Sequence, residues 1–229
     1  KWFGKSKVVD EEGKPLVVYH GMPSKLEGSF FDPKKTGEGH DVEGAGFYFT
    51  NERQEAAGYM RGGEGSVYDV YLKLENPIDA NTPMPSRKTL ETLIAKANKS
   101  KSIDDMLNKF DANEDLFWDS PLSNWSESPY GAVELQIDAI LKYNESAHDA
   151  FQSVWYEAFG ANNEAYMKAM TEIGIDGVVI KSETRHAGND HYIAFEPTQI
   201  KSATDARGTF DPADPRISYM PAINLADDF

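Results

Sequence analysis

Hydrophobic and polar residues alternate along several short segments of the chain, which is the pattern of β-strands with one buried face. Residues 66–76 carry the longest alternation, and Pro77 ends it because proline cannot donate to a strand ladder. Shorter apolar segments bounded by turn residues predict further strands. These strands are predicted at residues 7–9, 16–20, 46–50, 177–181 and 192–195.

The middle of the chain changes to the three- and four-residue spacing that is typical of helices. Residues 86–160 contain two such runs, separated by an aromatic and acidic linker. The runs are Leu90, Leu93, Ile94 and Ala97, then Val133, Ile137, Ile140 and Leu141. We interpret this region as a helical insertion into a β-rich core. Residues 163–173 predict one more helix, ended by Gly174. Residues 207–229, rich in Asp and Pro, predict an irregular tail.

Composition limits the classes of protein that fit this pattern. The 229 residues suit a single α+β domain, and an apolar share of 40% with 12% aromatics suffices for a substantial core. The 23 Lys and Arg against 38 Asp and Glu give a net charge of −15, which opposes general nucleic-acid binding. There is no cysteine, so disulfides, thiolate catalysis and Cys-based zinc sites are excluded.

The sequence also bears on membrane association and location. No apolar run approaches the ~20 residues that span a bilayer, so no membrane association is predicted. The chain begins at Lys1 with no apolar signal segment, as expected of a domain cut from a longer polypeptide. The compartment stays open, because a chain without thiols tolerates either redox state.

His20 and Gly21 close a predicted strand whose other positions on the same face are apolar. Taken alone, a histidine that shares a face with Leu16 and Val18 is more often a core residue. Gly21 changes that interpretation, because a glycine at a strand end lets the backbone approach a ligand closely. We therefore predict that the His20 imidazole hydrogen-bonds a ribose hydroxyl and that the backbone of Gly21 holds a carboxamide.

Two tyrosines complete the predicted pocket. Tyr48 lies between Phe47 and Phe49, so its side chain points to the opposite face of the strand and, if they face the core, into a cleft. Residues 51–54 have the spacing of a capping box and predict a helix that carries Tyr59. Two rings about 7 Å apart sandwich a pyridine ring, each stack contributing ~1 kcal/mol. A slot for a flat ring beside a ribose suits an enzyme that splits the nicotinamide–ribose bond of NAD, whereas the simpler alternative makes both tyrosines core aromatics.

Such a reaction needs a carboxylate near the reacting ribose carbon, because departure of nicotinamide builds positive charge there. The same carboxylate can orient or deprotonate the incoming nucleophile. The candidates lie in residues 189–196. Asp190 opens the predicted strand and is the first choice. Glu196 follows the strand and is more typical of a solvated turn before Pro197.

Metal binding and phosphate binding have weaker support. His186 and His191 are five residues apart with no further ligand clustered at the usual spacing, so no metal site is predicted. Residues 37–46 carry four glycines and predict a loop that could cradle phosphates. This loop lacks the Lys-Ser/Thr ending of a phosphate-binding motif and is weak evidence alone.

Several segments form one pattern when they are taken in chain order. They read WFGKSKVVD at 2–10, PLVVYHG at 15–21, GAGFYFT at 44–50, GIDGVV at 174–179, AFEPTQIKSA at 194–203 and RGTFDP at 207–212. Together they resemble ADP-ribosyltransferases of the histidine–tyrosine–glutamate group, which includes diphtheria toxin and the poly(ADP-ribose) polymerases. The chain is more closely similar to the ADP-ribosyltransferase domains of polyvalent proteins of phages and mobile elements. The resemblance covers both ends of the chain but little of residues 86–160.

The resemblance implies an α+β fold, a split β-sandwich of two small sheets with NAD bound as substrate in the cleft. It implies that His20 and Tyr48 hold the first and second catalytic positions. Tyr59 is implied to stack on nicotinamide and Gly21 to grip the carboxamide, with Thr50 also among the NAD-binding residues. No metal is implied.

The sequence departs from the family pattern at two positions. Met22 stands where the group usually has Ser or Thr after the His-Gly pair, so one polar contact to NAD is absent. Strict strand alignment puts His191, not a glutamate, at the third catalytic position. Asp190 fills that position only through a register shift or bulge, and the choice among Asp190, His191 and Glu196 stays open. Polymer formation is not predicted.

Three functions follow from the resemblance. The first is a mono-ADP-ribosyltransferase that modifies a protein or other macromolecular target, as a phage or bacterial effector or toxin. Such an effector is expected to enter a host bacterial cytoplasm as part of a larger protein and to have a neutralising partner. The alternatives are an NAD glycohydrolase, in which water replaces the acceptor, and an inactive binding module that uses the helical insertion as its docking surface.

Overall fold

The computed structural model describes residues 2–36, 44–60, 65–182, 188–204 and 211–218. Within them, six strands and seven α-helices follow one another along the chain. The strands are β1 (Val18–Met22), β2 (Phe47–Thr50), β3 (Ser66–Leu72), β4 (Gly177–Ile180), β5 (His191–Ala194) and β6 (Ile200–Ser202). The helices are α1 (Arg53–Ala57), α2 (Arg87–Ala97), α3 (Ile103–Ala112), α4 (Asp115–Trp118), α5 (Pro129–Tyr143), α6 (Ala147–Glu157) and α7 (Asn163–Glu172).

All six strands belong to one curled antiparallel sheet with the order β4-β5-β2-β1-β3-β6. Strand β1 pairs with β3 along its whole length, and β2 pairs with β5 along its whole length. The central strands β1 and β2 share a register at the single pair Tyr19 and Thr50. The sheet therefore consists of two three-stranded groups that this one register pair joins among the described residues, and we call this place the β1–β2 junction. The predicted α+β class and split sandwich are confirmed.

The two faces of the sheet bury different sets of side chains, because successive residues of a strand point to opposite faces. Val179 of β4 packs with Phe47, Phe49 and other residues inside the curl of the sheet. Its neighbours Val178 and Ile180 pack instead against the helices. The helical core therefore covers the β4–β5 side of the sheet.

The helices predicted within residues 86–160 and at residues 163–173 are confirmed, and side-chain caps explain where they begin. Ser86, Ser102, Ser128 and Ser146 each accept a hydrogen bond from a backbone N–H in the first turn of α2, α3, α5 and α6. Helix α7 is followed by Gly174, whose φ of +87° suits glycine. Within the described residues, no helix is both long enough and apolar enough to cross a membrane.

The predicted strand at residues 7–9 is wrong for the described structure. That segment forms one isolated bridge, from Val9 to Pro15. The physical reason is that a side chain replaces part of the strand ladder: the Ser6 hydroxyl accepts a hydrogen bond from the backbone N–H of Leu74 at 3.1 Å. Strand β1 also begins and ends two residues later than predicted, at Val18 and Met22.

Parts of three predictions lie outside the described residues. These are residues 37–43 of the glycine-rich loop, His186, and residues 207–210 and 219–229 of the tail. The described part of the tail packs against the sheet. Ile217 is buried, and the backbone of Arg216 forms an isolated antiparallel β-bridge with Phe30. Lys201 of β6, a strand that was not predicted, donates hydrogen bonds to the backbone carbonyls of Asp214 and Arg216.

Candidate active site

A pocket opens beside the β1–β2 junction, where the two central strands separate. Its empty volume, including the open mouth, is about 420 Å³, which is within the range of small-molecule sites. Strands β1, β2 and β5 and the α1 segment all contribute to its wall. The lining residues are Tyr19, His20, Gly21, Tyr48, Phe49, Thr50, Glu55, Ala56, Tyr59 and His191.

His20 is half-buried at the pocket wall between two aromatic rings. Its ring centroid lies 4.9 Å from that of Phe31 and 5.3 Å from that of Phe49. Nδ1 lies 2.5 Å from the carbonyl oxygen of Tyr48, and because a carbonyl only accepts, Nδ1 must carry the proton. Burial lowers the pKa of His20 from its ordinary value, although the bond to the Tyr48 carbonyl works in the opposite direction. The imidazole is therefore neutral near pH 7, with Nε2 as a hydrogen-bond acceptor.

Tyr48 points to the opposite face from its neighbours, as the alternation predicts. Phe47 and Phe49 are buried in the core inside the curl of the sheet, whereas Tyr48 is half-buried and lines the pocket. Its hydroxyl donates a hydrogen bond to the carbonyl of Gly44. Tyr48 therefore lines the pocket and also packs against the helical core.

Tyr59 reaches the pocket from a turn and not from a helix. Helix α1 begins at Arg53, with Glu52 as its N-cap, and ends at Ala57, with Gly58 as its C-cap. The prediction that the helix carries Tyr59 is therefore wrong. Asn51, the expected cap, instead accepts a hydrogen bond from the backbone N–H of Asp190 at 3.0 Å. Tyr59 is 61% exposed at the pocket mouth, where its ring is available for stacking.

Gly21 allows α1 to pack directly on β1. A Cβ atom at this position would lie 1.7 Å from the carbonyl oxygen of Ala56 and 3.2 Å from the Cβ of Tyr59. Any side chain larger than hydrogen would therefore displace the α1 segment. Packing of α1 therefore requires a glycine at position 21, a steric requirement that could not be inferred from the sequence. The predicted backbone contact of Gly21 with a ligand is a separate role.

Glu55 is a pocket carboxylate that sequence reasoning missed. Its Oε1 lies 3.0 Å from Nε2 of His191. Its Oε2 accepts hydrogen bonds from the Thr50 hydroxyl at 2.5 Å and from the Asn189 amide at 3.1 Å. The sequence feature that could have indicated a role for Glu55 is its position in the first turn of α1, which directly follows β2.

The surroundings of Glu55 keep its carboxyl group ionised. Burial alone would raise its pKa, but the hydrogen bonds from Thr50, His191 and Asn189 outweigh burial, and His191 adds a coulombic contribution when its ring is protonated. The net effect lowers the pKa of Glu55 below its ordinary value. A fixed negative charge therefore lies at the wall of the pocket.

The other two predicted carboxylates do not line the pocket. Asp190 accepts hydrogen bonds from Lys181 at 2.6 Å, from the backbone of Ser182 at 3.0 Å and from the Tyr192 hydroxyl at 3.2 Å. These contacts join the ends of β4 and β5. Glu196 precedes the short 3₁₀ turn Pro197–Gln199. The structure brings His191 to the pocket and leaves Asp190 and Glu196 outside it.

Two further sequence-predicted positions differ in what they offer a ligand. Thr50 lines the pocket, but its hydroxyl donates to Glu55 and accepts from the backbone N–H of Glu52 at 3.1 Å. Its hydroxyl is therefore engaged within the protein. Met22 ends β1 and is outside the pocket lining.

Comparison with known sequences identifies the family. The sequence model described as ADP-ribosyltransferase in polyvalent proteins matches residues 10–210. The chain belongs to this ADP-ribosyltransferase family. Neither the curated proteins nor the solved structures give a significant match. The matched residues include helices α2–α6, the region that the segment resemblance left aside.

Family membership confirms the predicted resemblance to ADP-ribosyltransferases of polyvalent proteins. It supports ADP-ribosyltransferase activity in general, and enzymes of this kind use NAD as their substrate. The pocket of this family member contains His20, Tyr48, Tyr59 and His191, which come from separate parts of the chain.

Proposed function

We propose that this chain is a mono-ADP-ribosyltransferase that cleaves the nicotinamide–ribose bond of NAD and transfers ADP-ribose to a macromolecular target. The observation that carries the proposal is the convergence of His20, Tyr48, Tyr59 and His191 on one pocket. Membership of an ADP-ribosyltransferase family supports the class of reaction. The polyvalent-protein context supports a role as a phage or bacterial effector, acting on a protein or other macromolecule.

The residues of the pocket suit the two parts of NAD that react. Tyr48 and Tyr59 offer aromatic rings to a flat pyridine ring, and a cationic nicotinamide gains further from the negative faces of those rings. Neutral His20 offers Nε2 as an acceptor for a ribose hydroxyl. No described residue hydrogen-bonds this nitrogen, so it is available to a ligand.

The charge in the pocket suits the bond that breaks. When the nicotinamide–ribose bond lengthens, positive charge develops on the ribose carbon, and a preorganised carboxylate lowers the barrier for that change. Glu55 holds such a charge and His191 lies beside it. His20 and Tyr48 orient the ribose and the ring, which reduces the entropy that must be lost at the moment of reaction.

Nicotinamide release from NAD tests the proposal. We expect purified protein to release nicotinamide, and His20→Ala and Tyr48→Ala to lower the rate by about 100-fold, because each removes an orienting contact. His148→Ala and Tyr156→Ala, on α6 and outside the pocket lining, are the matched controls and should keep the wild-type rate.

The fate of ADP-ribose separates transfer from hydrolysis. Incubation with bacterial lysate and labelled NAD should give label on a macromolecule, whereas free ADP-ribose alone would identify an NAD glycohydrolase. Absence of nicotinamide release in both conditions, with no NAD binding by calorimetry, would contradict the enzymatic function and favour an inactive binding module.

A further inference from the structure

Glu55 and His191 form a hydrogen-bonded pair at the pocket wall, and His191 stands at the position where the family pattern has a glutamate. We propose that His191 removes the proton from the attacking acceptor and that Glu55 positions His191 for this step. The inference rests on the proposed ADP-ribosyl transfer. It assigns a function to Glu55, a residue that no sequence motif marked.

The contact between the two side chains determines which nitrogen of His191 can act as a base. Oε1 of Glu55 and Nε2 of His191 are 3.0 Å apart. An ionised carboxylate only accepts hydrogen bonds, so Nε2 carries the proton. In the neutral imidazole, Nδ1 then holds the lone pair, and no described residue hydrogen-bonds it. A carboxylate that fixes the tautomer of a histidine in this way prepares the other nitrogen for proton transfer.

Glu55 is itself held in place, as a positioning residue must be. Thr50 and Asn189 both donate to Oε2, which leaves Oε1 for His191. The Glu55 and His191 side chains are 29% and 23% exposed, so the pair lies at the pocket wall with limited access to water. Three donors therefore fix one carboxylate: Thr50 of β2, His191 of β5, and Asn189, which lies two residues before β5.

The proposed step balances in atoms and charge. The oxygen or nitrogen of the acceptor forms a bond to the ribose carbon as the bond from that carbon to nicotinamide breaks. The electron pair of the broken bond goes to the ring nitrogen, which neutralises the pyridinium. The proton of the acceptor goes to Nδ1 of His191, and the resulting imidazolium is stabilised by the Glu55 carboxylate before it releases the proton to solvent.

This arrangement also indicates the class of acceptor. A hydroxyl, an amine or water must lose a proton when it attacks, whereas a carboxylate acceptor need not. A base at the third catalytic position therefore favours a proton-bearing nucleophile. Water is the simplest member of this class and is the probe in the test below.

Four variants test the proposal by the steady-state kinetics of nicotinamide release from NAD in water. Glu55→Gln keeps the shape of the side chain and removes its charge, and His191→Gln removes the base. We expect each to lower kcat by about 100-fold or more and to leave KM for NAD within about threefold. The double variant should be no slower than His191→Gln, because residues that act as a unit are non-additive. Glu52→Gln removes a neighbouring charge at the start of α1, outside the pocket, and should keep the wild-type rate.

A spectroscopic measurement separates positioning from a structural role. With five histidines in the chain, ¹⁵N NMR can resolve the His191 imidazole, assigned by its loss in His191→Gln. We expect the Nε2–H tautomer in the wild type and a mixture of tautomers in Glu55→Gln. Retention of the pure Nε2–H tautomer in Glu55→Gln would contradict the proposed role of Glu55.

The kinetic outcomes also distinguish failure of this inference from failure of the proposed function. Wild-type kcat in Glu55→Gln or His191→Gln would overturn the pair while the transferase function stands. Loss of activity in Asp190→Asn together with retention in Glu55→Gln would return the role to Asp190. Multiplied losses in the double variant would show that the two residues act independently. A wild-type protein that releases no nicotinamide with any acceptor overturns both proposals.

Discussion

Replacement of Gly21 by alanine should disable the pocket through a backbone clash. The added Cβ would lie 1.7 Å from the carbonyl oxygen of Ala56. That oxygen belongs to the backbone of α1 and cannot rotate away as a flexible side chain can. The substitution therefore displaces the α1 segment from β1.

The size of the displacement follows from the distance. Cβ atoms essentially never approach another heavy atom closer than 3.0 Å, so the contact must lengthen by at least about 1.3 Å, from 1.7 Å to 3.0 Å. Glu55 precedes Ala56 and moves with it, which disturbs the 3.0 Å contact with His191 because hydrogen bonds weaken beyond about 3.2 Å. We expect a stability loss of about 1–3 kcal/mol from overpacking and a fall in kcat/KM of about 100-fold from the misplaced pair.

Urea denaturation and nicotinamide release measure the two effects on the same samples. Gly188→Ala is the matched control, since nothing lies within 4 Å of its added Cβ, and it should change neither quantity. A Gly21→Ala protein with wild-type stability and activity would refute the packing of α1 on β1. Loss of NAD binding with unchanged stability would instead show that Gly21 is needed only for its predicted backbone contact with the ligand.

Three further predictions concern single side chains. Burial lowers the pKa of His20 below 6.5, so the His20 imidazole binds a proton more readily in the unfolded chain than in the folded one. The stability advantage of wild type over His20→Gln, measured by urea denaturation, should therefore decrease as the pH falls below about 6.5. Tyr59→Ala should raise KM for NAD by about three- to tenfold through loss of stacking, without lowering the thermal midpoint, since this side chain is 61% exposed. Lys201→Met should lower the free energy of unfolding by about 1–2 kcal/mol, because the carbonyls of Asp214 and Arg216 lose a charged donor; an unchanged value in urea denaturation would contradict this.

Local patterns predicted the parts of the site that depend on strand geometry. Tyr48 was predicted to face a cleft because alternation within a strand requires no knowledge of distant residues. The strict alignment that placed His191 at the third catalytic position is consistent with the pairing of His191 with Thr50 in the sheet. The bounds of α1 were misjudged because the capping box suggested Asn51 as the N-cap and gave no signal that the helix ends at Ala57.

Contacts between distant segments could not be predicted. Glu55 contacts His191, which is 136 residues away, and a single glutamate on a five-residue helix has no sequence pattern that marks it. Asp190 was the first choice as carboxylate because of its position before a strand. Its pairing with Lys181, on the neighbouring strand end, is visible only in the folded chain. Strand β6 was missed because Lys201, an unusual core residue, occupies its centre.

The β1–β2 junction links substrate binding to the cooperativity of folding. Strands β1 and β2 share one register pair and the hydrogen bond from His20 to the Tyr48 carbonyl, so a ligand that contacts both His20 and Tyr48 adds a further connection between the two halves of the sheet. A ligand that binds the folded state alone stabilises it by mass action. Amide hydrogen exchange in β1 and β2 should therefore slow when the pocket is occupied and return to its original rate after product release. Exchange rates in these two strands would then measure how much of the protein has a ligand bound.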